Sequence, residues 1–341
     1  MEYNNQKFIN QFRNIIEENA PSKILFVSSR DYDRYGYRDA IDDMGIECVA
    51  FTDFSPCPEI SSVKKGAEVF KDNGCDFIIT IGGGSAMDVA KAIKLFAESD
   101  VKILAVPTTA GTGAEVTRFA VLYNNGDKDS VRSWDIIPDF QVFDYTVLKS
   151  LPEFQRIVTS LDAFCHSVEA YWSTDSTDES RAYSIEALEL FSKHFSSYLN
   201  DDETSYEPMM RCSELAGKAI NIAQTTSPHA FSYKLHKIKG FVHGEAVAVS
   251  LCNIWKYMLE NCPTPQLQIL LAETEIISGF TPDCFERFIS DLGLNTNVIM
   301  TNAEFDETVN GVNVGRLANN PMPFNDNDIK NIYNQFIKIV D

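Results

Sequence analysis

The stretch Thr159-Ser160-Leu161-Asp162-Ala163-Phe164-Cys165-His166-Ser167-Val168-Glu169-Ala170-Tyr171-Trp172-Ser173 carries a carboxylate and an imidazole four residues apart. On a helix of 3.6 residues per turn, Asp162 and His166 project from one face, one turn apart, as two ligands of a single metal ion would. A polar pair on a solvated helix face is the plainer explanation. The apolar neighbours Leu161, Ala163, Phe164, Val168, Ala170, Tyr171 and Trp172 leave little room for such a face. A buried carboxylate and a buried imidazole both need partners, and these must come from elsewhere in the chain.

The chain has five histidines, at 166, 194, 229, 236 and 243, and three of them fall within fifteen residues. His229 is expected to open one helix, and His243, followed by Gly244, to start the next. With Asp162 and His166 they complete a set of one carboxylate and three imidazoles, suited to Fe²⁺, Zn²⁺, Co²⁺ or Mn²⁺. The carboxylate and the lack of cysteine in the set argue against a structural zinc. An ion with an exchangeable position would act as a Lewis acid on a carbonyl or alkoxide oxygen.

Two loops add a nucleotide site. Gly82-Gly83-Gly84-Ser85-Ala86-Met87-Asp88 stands where a strand gives way to a helix. Glycines there let the backbone approach a diphosphate, and a helix N-terminus offers N–H groups and a positive dipole end. It is not the GxGxxG fingerprint, because Ser85 and Met87 occupy the fourth and sixth positions. The second loop, Val106-Pro-Thr108-Thr109-Ala-Gly-Thr112-Gly-Ala-Glu115-Val-Thr117, supplies hydroxyl donors for phosphate, ribose or a carboxamide.

The elements that must position these residues change character along the chain. Helical spacing at Phe8, Ile9, Phe12, Ile15 and Ile16 predicts a helix over 5–19. Strands at 24–27, 48–51, 77–81 and 102–106 then alternate with helices at about 34–45, 59–73 and 86–98, which predicts a parallel sheet covered on both faces. After Leu151-Pro152 the periodicity is helical, at about 153–173, 177–199, 207–224, 228–236, 244–261, 265–277, 282–292 and 326–339. The reading is an α/β dinucleotide-binding domain over 1–150 and an all-helical metal-binding and substrate domain over 151–341.

Composition limits the partners. Net charge is −20, from 49 acidic and 29 basic residues, which opposes binding to nucleic acid or an anionic membrane. An anionic substrate or cofactor would need a local group of cations to overcome that repulsion. No apolar run approaches the roughly 18 residues that span a bilayer. The N-terminus lacks the basic start and apolar core of a signal peptide. Eight cysteines are scattered singly, with no CxxC pair, as suits reduced thiols in a cytoplasm.

Taken together, these motifs resemble the iron-containing (group III) alcohol dehydrogenase family, related to glycerol dehydrogenase and dehydroquinate synthase. The likeness spans nearly the whole chain. It rests on Gly82 to Ser85 with Asp88 and Lys91, on Pro107 to Thr117, on Asp162-Ala-x-x-His166-x-x-Glu169, and on His229-Ala230 and His243-Gly244. The resemblance implies a dehydroquinate synthase-like fold. It implies metal ligands at Asp162, His166, His229 and His243, a pyrophosphate loop at Gly82, Gly83, Gly84 and Ser85 with Asp88, and a nicotinamide-side loop at Thr108, Thr109 and Thr112. The expected activity is reduction of a small aldehyde with NAD(P)H at an Fe²⁺ or Zn²⁺ centre, in a homodimer.

Departures from the family pattern matter as well. Many members carry a second histidine four residues after the third metal ligand, where it assists proton transfer; here that position is Tyr233, so Tyr233, His236 or water takes the role. Members that prefer NAD often have an aspartate where this chain has Ser29; Ser29 with Arg30 suits the 2′-phosphate of NADPH. The finer likeness is to phosphonoacetaldehyde reductases, through Glu115 to Tyr123, Ala230 to Leu235, and Arg316-Leu-Ala-Asn-Asn-Pro321. It points to Arg118 and Lys234 as cations for a phosphonate, with structural ion pairs as the competing account. A general short-chain alcohol, aldehyde or diol dehydrogenase is the alternative. A dehydroquinate synthase-like lyase or a silent binding protein fits the intact three-histidine set less well.

Overall fold

The computed structural model describes residues 5–29, 35–125 and 127–340. The chain forms two compact units, residues 1–152 with 201–210, and residues 153–200 with 211–341.

In the first unit, α1 (Gln6–Asn19), α2 (Tyr37–Asp43), α3 (Ile60–Asp72) and α4 (Gly84–Phe96) alternate with β1 (Lys23–Ser28), β2 (Glu47–Phe51), β3 (Phe77–Gly82) and β4 (Lys102–Pro107). The strands are parallel in the order β2-β1-β3-β4, and a two-residue strand beyond β4 completes the sheet. Period-2 alternation sorts the side chains. Ile24 and Phe26 face a core with Phe12, Ile16, Tyr37 and Ile41, while Leu25 and Val27 face one with Val63, Phe70, Val89 and Ile93. Both faces are covered, so the strands read as continuous apolar runs.

Strand order reverses between β1 and β3, because β2 lies on one side of β1 and β3 on the other. Ligands of open α/β sheets bind beyond the carboxyl ends of strands at such a switch point. Here Ser28 pairs with Ile81 and its hydroxyl donates to the Ile81 carbonyl at 2.8 Å. Ser29 and the glycine loop therefore leave the sheet side by side.

The segment after β4 departs from the regular pattern. Antiparallel pairs join β5 (Phe119–Ala120) to β8 (Val131–Arg132) and β6 (Tyr123–Asn124) to β7 (Asp127–Lys128), before β9 (Phe140–Gln141) closes the sheet edge. Helix α4 starts at Gly84, two residues before the predicted start. A Cβ on Gly84 would crowd the Thr112 side chain, so glycine is what lets the first turn form against the second loop.

The second unit is built from α5 (Glu153–Trp172), α6 (Asp178–Leu199), α7 (Tyr206–Ala223), α8 (Ser227–Lys239) and α9 (His243–Glu260), followed by α10 (Pro265–Ser278) and α11 (Pro282–Asp291). Helix α5 packs on α6 and α9, and α9 packs on α8. Trp172 and Trp255 meet edge to face with ring centroids 5.9 Å apart in the core. After α11, β10 (Val298–Met300) leads into α12 (Asn302–Asn310) and later α13 (Asp326–Phe336). The predicted helix over 326–339 ends at Phe336, because β11 (Ile337–Ile339) pairs in parallel with β10. Isoleucines at 337 and 339 favour that ladder. Helix α12 was not expected from periodicity, although its capping box, Thr301 with Glu304, is a readable start signal. Among the described residues no helix is long and apolar enough to cross a membrane.

Candidate metal centre and nucleotide loop

Helix α5 is buried along most of its length, and Asp162 and His166 face its packed side. Helix α8 starts at Ser227 with Pro228 in its first turn and presents His229. Helix α9 starts at His243, and Gly244 is what lets it approach α5. A Cβ on Gly244 would lie 1.9 Å from the Val158 carbonyl oxygen.

These three helices bring one carboxylate oxygen and three ring nitrogens together. Asp162 Oδ1 lies 3.7 Å from His166 Nε2, 3.5 Å from His229 Nε2 and 3.6 Å from His243 Nε2. The His166 and His229 rings stack at 4.7 Å, and His229 meets His243 at 5.3 Å. Asp162, His166 and His229 form a buried trio whose ligand atoms lie within 4.8 Å of one another. His243 closes on Asp162 from a more open side, its side chain 41% exposed.

The spacing tests the fit of a metal. Ligands bonded at about 2.0–2.2 Å sit about 3.4 Å apart around a tetrahedral ion. Among the described residues, Asp162 Oδ1 and His229 Nε2 are buried with no hydrogen-bond partner. Such atoms are costly unless something occupies their lone pairs. The donor set, one carboxylate oxygen with imidazole nitrogens, suits Fe²⁺ or Zn²⁺.

Electrostatics are tuned around the same point. Burial opposes charge on Asp162, yet His166, His243 and His229 outweigh it and hold the carboxyl far below the usual range. Burial likewise opposes an imidazolium at His229, but Glu169 and Asp162 overcome it and raise its pKa to about 10.

Glu169 is the functional residue that sequence reasoning named only as part of a motif. It is fully buried on α5 and meets His229 Nδ1 at 2.5 Å through Oε1. Its other oxygen accepts from the Thr226 N–H at 2.7 Å and the Thr226 hydroxyl at 3.1 Å. The Thr226 hydroxyl in turn accepts from Trp172 Nε1 at 2.9 Å. A carboxylate on Nδ1 fixes the ring's orientation and keeps that nitrogen protonated, so that Nε2 would be the atom left to ligate an ion shared with Asp162. The readable signal was spacing: Glu169 is three residues after His166 and so shares its helix face.

In the first unit, the two predicted loops pack on each other. A Cβ on Gly83 would lie 3.1 Å from the Thr109 methyl, and one on Gly84 2.9 Å from the Thr112 methyl. The Thr108 N–H donates to the Gly82 carbonyl at 2.9 Å. Gly83 caps α4 without a side-chain hydrogen bond. The first-turn N–H groups of α4 are therefore of the kind that binds anions at helix starts. Ser85 contributes backbone only, since its hydroxyl is spent on the Pro56 carbonyl at 2.6 Å. Asp88 lies in the second turn of α4. It is buried beside Lys91 and accepts from the Val121 backbone N–H, while Lys91 donates to the Ala114 carbonyl at 2.8 Å and Thr117 Oγ1 at 3.2 Å. Burial pushes the Asp88 carboxyl up and the Lys91 amine down. Both residues tie α4 to the 114–121 segment. Ser29 is exposed just after β1, and Arg30 lies outside the described residues.

The remaining candidates separate. His236 Nδ1 sits 2.5 Å from the Phe241 carbonyl and ties the end of α8 to the turn before His243. Tyr233, one turn after His229, accepts a hydrogen bond from Arg316 Nη1 at 2.6 Å. Arg118, in the first unit, lies over the Trp134 ring at 4.4 Å, with burial and then Arg132 lowering its pKa. Lys234, in the second unit, pairs with Glu307 at 3.1 Å. Of the two accounts of Lys234, the ion pair is the one the geometry supports, because its charge already has a carboxylate.

Comparison with known proteins matches this arrangement over nearly its full length. The family model described as iron-containing alcohol dehydrogenase covers residues 3–145. The C-terminal model of the Fe-containing alcohol dehydrogenase family covers 156–337. The chain is similar to a 1,3-propanediol dehydrogenase of Citrobacter freundii, 31% identical over 86% of this chain and 84% of that one. It is 30% identical to an NADPH-dependent butanol dehydrogenase of Clostridium saccharobutylicum, over 73% and 70% of the two chains. A solved structure of sulfoacetaldehyde reductase from Bifidobacterium kashiwanohense, in complex with NAD⁺, superposes with a TM-score of 0.87 at 26% identity. That superposition covers 98% of this chain and 95% of the other.

Proposed function

This chain belongs to the iron-containing alcohol dehydrogenase family, and from that premise we propose that it reduces phosphonoacetaldehyde to 2-hydroxyethylphosphonate with NADPH. The broader activity follows from membership: an NAD(P)-dependent alcohol dehydrogenase, acting as an aldehyde reductase in the opposite direction. The observation that carries this is the group of imidazoles gathered on Asp162 Oδ1 and braced by Glu169.

Asp162, His166, His229 and His243 would hold the metal, and Gly82 to Gly84 with Thr108, Thr109 and Thr112 would hold the dinucleotide. When bound, the ion supplies Lewis acidity at the carbonyl oxygen and the nicotinamide supplies the hydride. The residues of the chain do the rest. Glu169 and Thr226 keep His229 in register. Tyr233 would supply the proton to the product oxygen, its phenol oxygen accepting from Arg316 Nη1. His236 positions the turn ahead of His243.

NADPH is supported by the absence of a carboxylate side chain at Ser28 and Ser29 beside the switch point, where one would repel a 2′-phosphate. An acid-bearing aldehyde is supported by the Arg118, Tyr233 and Arg316 segments and by the resemblance to a neighbour that reduces sulfoacetaldehyde by its name. A reducing cytoplasm suits eight cysteines of which none forms a disulfide. Two copies would pair through the β2 edge of the sheet, which light scattering tests directly.

The deciding experiment follows nicotinamide oxidation by metal-loaded protein with phosphonoacetaldehyde, propanal, glycolaldehyde and lactaldehyde, each with NADPH and NADH. The reading expects the highest kcat/KM for phosphonoacetaldehyde with NADPH. A preference for propanal or a diol-derived aldehyde would replace it with a general short-chain dehydrogenase.

A further inference from the structure

We propose that Arg316, held against Tyr233, is the specificity-determining residue that receives the acid group of the aldehyde. This rests on the reading above that the substrate carries an anion at the end opposite its carbonyl.

Arg316 lies in a short 3₁₀ turn, Val314–Leu317, and is half-buried. Its Nη1 donates to the Tyr233 hydroxyl at 2.6 Å, and the guanidinium carbon stands 5.3 Å from the Tyr233 ring centroid. Among the described residues this neutral phenol is its one hydrogen-bond acceptor, and no carboxylate lies within ion-pair distance. Two cations of the neighbouring α8 differ: Lys234 pairs with Glu307 and Lys239 with Glu304. A half-buried guanidinium with N–H groups to spare is suited to bidentate contact with a phosphonate, sulfonate or carboxylate. In a chain of net charge −20, such a cation is the local exception an anionic substrate requires.

Its position relative to the metal centre is fixed by the fold. Tyr233 follows His229 by four residues, so the two side chains are neighbours one turn apart on α8. In phosphonoacetaldehyde a single methylene separates the carbonyl carbon from phosphorus, so its acid group must be received close to the carbonyl site. The segment that carries Arg316 is tied to the same helix start. Asn319 Nδ2 donates to the Thr225 carbonyl at 3.1 Å, and the Ser227 hydroxyl donates to Asn320 Oδ1 at 2.6 Å. Between them, Thr226 is held by Glu169, the residue that orients His229. Arg316 is thus braced on the same polar network that sets the imidazole.

The test measures kcat/KM for phosphonoacetaldehyde and for propanal in wild-type, R316Q and R316K enzyme of equal metal content. We expect R316Q to lower the phosphonoacetaldehyde-to-propanal ratio by about tenfold or more, through KM, the loss typical of a charged hydrogen bond. R316K, which keeps the charge but not the fork, should recover part of the ratio, and it serves as the informative variant should R316Q fail to fold. An unchanged ratio in both variants overturns the assignment, as does an equal loss on both substrates, which would mark Arg316 as scaffold. If wild-type enzyme does not reduce phosphonoacetaldehyde, the substrate reading fails by itself. Methylphosphonate inhibition of propanal reduction then decides the site: weaker inhibition of R316Q supports it, and equal or absent inhibition overturns it.

Discussion

Replacing Glu169 by glutamine keeps the size of the side chain and removes its charge, which isolates what the carboxylate does for His229. One oxygen meets His229 Nδ1 at 2.5 Å and the other accepts from the Thr226 N–H at 2.7 Å. An amide cannot satisfy both. With its oxygen toward Nδ1, its NH₂ faces the Thr226 N–H, donor against donor. With the NH₂ toward Nδ1, the ring must carry its proton on Nε2, the atom aimed at Asp162. Losing such a partner typically weakens metal affinity about 10–100-fold, or about 1.4–2.8 kcal/mol. A buried donor left unpaired adds about 1–3 kcal/mol of lost stability. Competition with a chelator of known affinity gives the first quantity, and thermal melting of metal-free protein gives the second. If Glu169→Gln bound Fe²⁺ or Zn²⁺ within a factor of about two of wild type, the orienting role argued here would be refuted.

Three further perturbations probe separate parts of the molecule. Gly244→Ala drives a methyl to 1.9 Å from the Val158 carbonyl oxygen, so α9 must shift from α5. The expected cost is about 1–3 kcal/mol, with reduced metal stoichiometry, and an unaltered melting temperature would contradict the close approach. Tyr233→Phe should lower kcat for propanal about a hundredfold. Because propanal carries no anion, a retained kcat would transfer the proton-donor role to water. Glu214 is held between Arg211 at 2.7 Å and Lys218 at 2.6 Å; burial opposes its charge, but the two cations outweigh burial and lower its pKa. A depressed carboxyl stabilises the fold above its unfolded pKa and loses that contribution as pH falls through the folded value. Glu214→Gln should therefore melt earlier than wild type at pH 7, and the gap should close in acid.

Much of this protein is legible in its sequence because the relevant signals are local. The 3.6-residue spacing of apolar positions places Asp162 and His166 on one face of a helix that is indeed buried, and the apolar runs at 24–27 and 77–81 are indeed central strands. The histidine-rich stretch and the glycine loop are matters of residue type, readable without coordinates. Elements that depend on remote pairing escape such reading. Ile337–Ile339 looks helical until β10 offers it a ladder, and the short antiparallel pairs between 119 and 132 have no period to detect.

The same distinction runs through the site. Sequence determines which side chains are available: one aspartate and one histidine a turn apart, two more histidines at the starts of helices, and three glycines after a strand. Tertiary structure decides what each one touches. Glu169 reaches His229 across 60 residues, Arg316 reaches Tyr233 across 83, and Lys234 turns to Glu307 across 73. Asp88, which belongs to the loop motif by position, is buried and accepts from the Val121 N–H. Spacing along a helix constrains direction within one turn, whereas a partner many residues away is chosen by how helices cross. Here that crossing depends on Gly244, whose missing side chain lets α9 bring His243 to Asp162.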